Sequence, residues 1–281
     1  MALEFIKLFK SDTPVTQVGS LGFFKLSTES SGGGGGGDLT FSRVLSENTP
    51  AQISAVSDAI ARDGLTSAQV EEIYGWKVGD SLPIPLTTGE TIQVRIIGYN
   101  HDTLSSDHTT KAGISWETVN CLTTRYPMNV METNAGGYAE SVMKTSILPT
   151  IKALLPQEWQ DVIKLVDKKS ANGGSSNYSE TLTLSEDLFL FAEIEIFGTT
   201  SYAHDGANEG SIYEYWNGKT NADRIKKYDT DADGVSDTAT YWWFRSSCYN
   251  NTLCFCSANT SGKAYYNYAN NSRGLSFGFC T

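Results

Sequence analysis

The chain has no excess of basic residues: 21 Lys and Arg stand against 32 Asp and Glu, for a formal net charge of -11 and a pI near 4.7. Nucleic-acid affinity comes largely from clustered Lys and Arg, so the deficit argues against a nucleic-acid partner. No apolar stretch approaches the about 20 residues needed to span a bilayer. The start, MALEFIKLFKSDTP, has no apolar run followed by a small-residue cleavage site. These absences predict a chain made in the cytoplasm with no membrane insertion. Histidine is scarce, with only His101, His108 and His204; H-E-x-x-H does not occur, and G-x-S-x-G occurs once, as GLSFG over 274–278. Histidines able to act as the base that orients a nucleophile in common hydrolases are therefore few here. Five cysteines make an odd number, and Cys248, Cys254, Cys256 and Cys280 crowd the C-terminal end without C-x-x-C spacing. Thiols are the expectation, with a Cys256 to Cys280 bridge as the alternative.

What is present divides the chain. At 281 residues, a main domain with a smaller N-terminal module is expected. Six consecutive glycines, Gly32–Gly37, read as a linker, because each loses maximal backbone entropy on ordering; a packed polyglycine layer between subunits is the other reading. Residues 1–31 are then an attachment or oligomerisation segment. Thr49-Pro50 opens a helical pattern, with Ile53, Val56 and Ile60 on one face and Gly64 as its stop. Thr66 and Gln69 form a capping box for a second helix, so residues 38–75 read as a helical hairpin. From Trp76 the texture changes to short strands, with TIQVRIIGY alternating. Later helices are expected around Tyr138–Leu155 and over Gln157–Lys168. LFLFAEIEIFG reads as a strand followed by an alternating segment, and the tail after Trp242 as short strands and loops.

Several segments carry a resemblance: YPMN (126–129), NAGGYAESVM (134–143), LPQEWQDVIKLVDKKS (155–170), LFLFAEIEIFG (188–198), EGSIYEYW (209–216), YWWFRS (241–246) and GLSFGFC (274–280). In this order and spacing they resemble the variable proteins of diversity-generating retroelements found in phage and prophage tail genes. The resemblance covers about residues 76–281. It implies an α+β fold with a C-type-lectin-like domain, related to the formylglycine-generating enzymes. In that family a reverse transcriptase miscopies adenines, so that Asn codons diversify. Residues 246–281 are heavy in Asn, Tyr, Ser and Cys and contain no Glu, Gln, Met or Trp, four residues that such a process cannot reach; Lys263 is the one residue out of pattern. By resemblance, Trp242, Trp243, Arg245, Phe255, Cys256, Gly262, Ala269, Gly274, Gly278 and Phe279 are fixed. Cys248, Tyr249, Asn250, Asn251, Leu253, Cys254, Ser261, Tyr265, Tyr266, Asn267, Tyr268, Asn270, Asn271 and Arg273 are variable, and all but Cys254 are taken as ligand-binding residues.

A physical argument runs beside the resemblance. Tyrosine offers wide contact area and a polar tip with only two torsions to freeze, while Ser, Asn and Gly add adaptable hydrogen bonds, as in antibody paratopes. Tyr249, Tyr265, Tyr266 and Tyr268 fit that recipe; a merely decorated sheet edge is the blander reading. Asp229, Asp231, Asp233, Gly234 and Asp237 spell D-x-D-x-D-G-x-x-D, a spacing that wraps calcium, although position twelve is Thr240 rather than Glu. A calcium loop and a solvated acidic loop both remain open. Asp102, Asp107, Glu209 and Glu214 could pair as glycosidase carboxylates, but acids are common in this chain. Trp242-Trp243 belong to the core, because successive strand residues face opposite ways.

The expectation is a non-enzymatic adhesin of the virion tail, made in the host cytoplasm. It would bind a host bacterial surface protein or glycan, contact tail structural proteins and form a homo-oligomer, for which a trimer is plausible. The alternatives are a formylglycine-generating-type copper oxidase using Cys248, Cys254 or Cys256, and a cellular surface or secreted lectin-like protein.

Overall fold

A computed structural model describes residues 15–18, 23–26, 39–174, 180–204, 208–231 and 233–281, with side chains from residue 40 onward. Strands β1 (Val15–Val18), β2 (Phe23–Leu26) and β3 (Leu39–Ser42) form an antiparallel sheet in that order, with Leu26 opposite Leu39. The polyglycine run falls between these two paired strands and lies outside the described residues, as does most of segment 1–31.

Helix α1 (Pro50–Asp63) begins where two capping signals coincide. Pro50 occupies a first-turn position that needs no N–H, and Thr49 and Gln52 cap each other reciprocally, at 3.3 Å (Gln52 N–H to Thr49 Oγ1) and 2.9 Å (Thr49 N–H to Gln52 Oε1). Gly64 ends it in the left-handed region, at φ 60°. The same box between Thr66 and Gln69 opens α2 (Ser67–Tyr74). Ile53, Val56 and Ile60 are buried, as their spacing predicts.

Strands β4 (Ser81–Pro85), β5 (Thr91–Tyr99) and β6 (Ile114–Thr118) follow. β5 alternates over Thr91–Val94 and is then buried on both faces past a bulge between Ile96 and Gly98. The helix expected over Tyr138–Leu155 is shorter: a π-helical turn at Met143–Ile147 runs into α3 (Leu148–Lys152). Two expectations need correction. Gln157–Lys168 holds only α4 (Gln157–Gln160), and its last three residues belong to β7 (Val166–Ala171), paired with β8 (Thr181–Glu186). LFLFAEIEIFG is not a strand with an alternating extension: Leu188–Ala192 is extended with one bridge, Phe189 to Gly278, and Glu193–Phe197 is helix α5.

The chain closes with β9 (Lys226–Tyr228), β10 (Thr238–Thr240), β11 (Trp242–Ser247), β12 (Cys254–Ala258), β13 (Ala264–Tyr268) and β14 (Gly278–Cys280). Every pairing is antiparallel: β9 with β10, β11-β12-β13, and a four-stranded sheet β14-β6-β5-β4. Helices and antiparallel sheets combine in an α+β architecture. Among the described residues, no helix is long and apolar enough to cross a membrane.

Two apolar clusters meet at β11 and β12. The first unites α1 and α2 with β4, β5, β6 and β14, so the helical hairpin shares the main core. Trp116 and Phe279 stack there, centroids 6.0 Å apart, with Trp159 edge-on to both. The second gathers Phe189, Phe191, Tyr213, Trp216, Phe244 and the Cys248, Cys254 and Cys256 thiols. Strand alternation assigns Trp243 and Phe255 to the first cluster and Trp242, Cys254 and Cys256 to the second.

Candidate functional site

The framework beneath the site is held by buried charge. Arg245 on β11 is fully buried and donates to both oxygens of Glu195 (2.6 and 2.9 Å) and to the carbonyls of Lys169, Leu190 and Glu209. Lys168 on β7 donates to Asp102 (2.8 Å), Glu195 (2.7 Å) and the Tyr213 hydroxyl (2.8 Å). Ser115 Oγ donates to Asp102 at 2.6 Å. Burial alone would raise the Asp102 carboxyl; Lys168, His101 and the Ser115 hydroxyl together outweigh it and hold the group well below the carboxylate range. Glu195 is likewise lowered against the cost of burial, chiefly by Arg245.

The carboxylates considered as a glycosidase pair do not converge. Asp102 is engaged by Lys168, and buried Glu209 accepts the Ala171 N–H; Asp107 caps a turn at Thr109 and Thr110, and Glu214 bonds Ser67. His101 stacks on Tyr213 at 4.0 Å, whereas His108 pairs with Asp167 at 2.7 Å, so the two histidines serve different environments.

On this framework β11, β12 and β13 carry the C-terminal surface. Cys248 N–H donates to Cys254 O at 3.2 Å, closing the base of a loop over Tyr249–Leu253. Asn250 turns that loop at φ 56°, a region Asn tolerates better than most residues. Tyr249 N–H donates to Tyr202 O at 2.7 Å, tying the loop to the segment after α5. Between β12 and β13, Asn259 Oδ1 accepts from the N–H groups of Ser261 and Lys263 (2.9 and 3.0 Å). Gly262 completes this turn at φ +74°; a Cβ there would stand 1.7 Å from Asn221 O. β13 pairs with β12 alone, and Tyr265, Tyr266 and Tyr268 are exposed along it.

The tyrosines form a connected aromatic surface. Tyr265 and Tyr266 stack at 5.2 Å with an interplanar angle of 7°. Tyr202 tilts against Tyr266 at 5.0 Å, and Tyr241 against Tyr265 at 5.6 Å. The Arg273 guanidinium lies over the Tyr241 ring at 5.1 Å, and Tyr249 meets the His204 ring edge-on at 4.9 Å. Tyr202, His204 and Tyr241 belong to this surface and escaped the sequence reading. Tyr202 and His204 lie far upstream in a segment without a motif; for Tyr241 the signal was available, as the residue that opens YWWFRS.

All ten positions fixed by resemblance are buried, Gly262 and Gly274 included. Of the fourteen variable positions, eleven are exposed or half-buried, so the division by resemblance follows the division by solvent contact. Three depart from it. Cys248 and Cys254 point into the second cluster, and Asn267 is buried with Nδ2 on Ser257 Oγ (2.8 Å) and Oδ1 accepting from Arg273 Nε (2.7 Å). The expectation that Cys248 and Asn267 touch ligand is therefore corrected: both are buried beneath exposed neighbours.

The chain belongs to the DUF6273 family. The model of that family, a domain of unknown function, matches residues 114–280, which is more than half of the chain. No curated protein and no solved structure matches it. The matched DUF6273 region begins at β6, ends in β14 and contains the tyrosine surface with Arg245, Glu195 and Lys168 of the buried ion network, while Asp102 precedes it.

Two further groups in the DUF6273 region bear on chemistry. All five cysteines are free and buried. The Cys256 to Cys280 bridge does not form: Cys280 Sγ lies 3.3 Å from Asp102 Oδ2, and Cys256 Sγ lies 4.0 Å from Cys248 Sγ. Burial pushes the Cys256 thiol up to about 11, opposite to the depressed value of a reactive thiolate. In the β9–β10 loop, oxygens of Asp229, Asp231 and Asp233 lie within 4.8 Å of one another, while Asp237 accepts from Thr238 Oγ1. A cation there would meet three of the four carboxylates expected from the spacing.

Proposed function

We propose that the protein is a receptor-binding protein of a phage tail, with a C-type-lectin-like domain that grips a host surface molecule through a diversified face. The observation that carries this reading is the coincidence of two independent partitions: residues that the resemblance holds constant are buried, and residues that it lets vary are mostly on one surface. Such a surface accepts replacement because exposed changes away from special geometry cost within about 0.5 kcal/mol. The composition of the face supports recognition rather than chemistry, with rings and amides in place of a nucleophile and base. Many copies per virion would turn weak single contacts into firm attachment through effective concentration. In this reading a calcium ion at Asp229, Asp231 and Asp233 would brace the β9–β10 loop and not contact the ligand.

The triple substitution Tyr265→Ala, Tyr266→Ala and Tyr268→Ala tests the proposal. Adsorption to host cells should be abolished while the melting temperature stays nearly unchanged. Loss of folding, or undiminished adsorption, refutes it.

A further inference from the structure

Val130 and Met131 are 77% and 72% exposed, more than any other large hydrophobic side chain among the described residues. They lie outside the C-terminal segment, in the loop between Tyr126 and Tyr138, and the sequence reading attached no role to them. The backbone shows where this loop stands. Asn129 N–H donates to Ala269 O at 2.9 Å, and Asn134 N–H to Thr252 O at 2.8 Å. Asn134 Nδ2 adds bonds to the carbonyls of Asn251 (2.8 Å) and Cys254 (2.9 Å). Ala269 N–H in turn donates to Leu253 O at 2.9 Å. The loop is thus pinned on both sides to residues adjoining Leu253 and Tyr268, themselves exposed. Val130 and Met131 project between those pins, at the end of β12–β13 away from the Asn259–Lys263 turn.

An apolar tip held in place by four hydrogen bonds is not a floppy exposure. Isolated surface hydrophobes are ordinary, but adjacent ones rimmed by polar residues mark interaction sites. Charge adds a second argument. The chain carries -11 overall, yet residues 238–281 contain no Asp or Glu, and Lys263 and Arg273 stand on the surface they form. The strands and loops of residues 238–281 are thus the part of an acidic molecule from which carboxylates are missing, and exposed Glu132 stands at their edge beside Met131. Sugar hydroxyls are read by directional donors and acceptors, and side chains like those of Val130, Met131 and Leu253 offer neither. Aliphatic tips beside tyrosines suit the apolar part of a protein–protein contact, with Lys263 at the far turn to meet carboxylates at its rim.

We infer that Val130 and Met131 form a constant aliphatic part of the recognition face, and that the partner this face fits is a folded protein presenting an apolar patch edged by carboxylates. The inference rests on the receptor-binding reading and narrows it. The paired substitution Val130→Ser and Met131→Ser tests it on the full chain, beside the tyrosine triple variant. The probes are host cells left intact, stripped with protease, or oxidised with periodate. Adsorption of the serine variant should fall about tenfold or more, as for truncation of a buried contact anchor, with no change in melting temperature. The unaltered protein should lose binding to protease-treated cells and keep it on periodate-treated ones. Unchanged adsorption of the serine variant, with the tyrosine variant defective, overturns this inference and leaves the wider reading standing; unchanged adsorption of both overturns the wider reading. Binding lost only after periodate overturns the choice of a protein partner. Sedimentation of the unaltered protein as an oligomer that the serine variant dissociates would assign the tip to a second copy of this chain and overturn the inference as well.

Discussion

Two regions of this molecule are rich in polar side chains and treat them in opposite ways. Around Arg245 and Lys168 each charged group has an assigned partner inside the protein, and the carboxylates of Asp102 and Glu195 keep their charge in spite of burial. Along β13 the phenol rings touch mainly one another and leave a substantial part of their surface to solvent. The first arrangement depends on identity, because removing one partner strands another charge. The second depends on character, because one ring or amide can replace another without leaving a buried group unpaired. The proposed variable recognition would need both, and the two lie on connected strands: β11 carries Arg245 and pairs with β12, which pairs with β13.

The contrast is testable where it should be sharpest. Lys168→Met leaves Asp102 and Glu195 without a shared cation and should cost about 3–5 kcal/mol, read from the urea midpoint. A cost below about 1 kcal/mol would mean that the network does not hold the framework. Acid should expose the same dependence. A carboxyl whose folded value is depressed contributes stability that is present above its unfolded value, about 3.9 for Asp, and is lost as pH falls through the folded one. Stability contributed by Asp102 and Glu195 should therefore persist down to about pH 4 and fall away below it, a decline measurable by urea melts at stepped pH. The Lys168→Met variant should show a shallower decline. Gly262→Ala strains a position at φ +74° and drives a Cβ against Asn221 O, so a loss of about 1–3 kcal/mol is expected from a turn otherwise surrounded by tolerant positions. The tyrosine triple variant belongs at the small end, with each replacement worth no more than about 0.5 kcal/mol in stability.

The same contrast explains what could be read from the chain and what could not. Thr49, Pro50, Gln52 and Gly64 act within a few residues of one another, so the bounds of α1 were legible. The tyrosine face was legible because its members crowd one segment and point outward by composition. β7 was not, because Lys168 alternates into the interior and a buried lysine reads as one on a solvated helix face; its partners are Asp102 and Glu195, 66 and 27 residues away. α5 failed for the same reason. Glu193 and Glu195 look like the outward positions of a strand, yet Glu195 grips Arg245, and Glu193 accepts the N–H groups of Tyr202 and Ala203. Contacts over long sequence distance also hid Tyr202, which joins the face only because the chain after α5 lies beside Tyr249.

Trp242 and Trp243 give the scaffold one more property. Each is committed to a different apolar cluster, so adding or deleting a single residue within β11 would exchange the two indoles and turn Arg245 away from Glu195. Changes of length fit best where the pleat is already interrupted, at the irregularity between Trp243 and Ser247 or in the Tyr249–Leu253 loop. A lineage built on this frame can rewrite the outward letters of β13 but must keep the spacing of Trp242, Trp243 and Arg245.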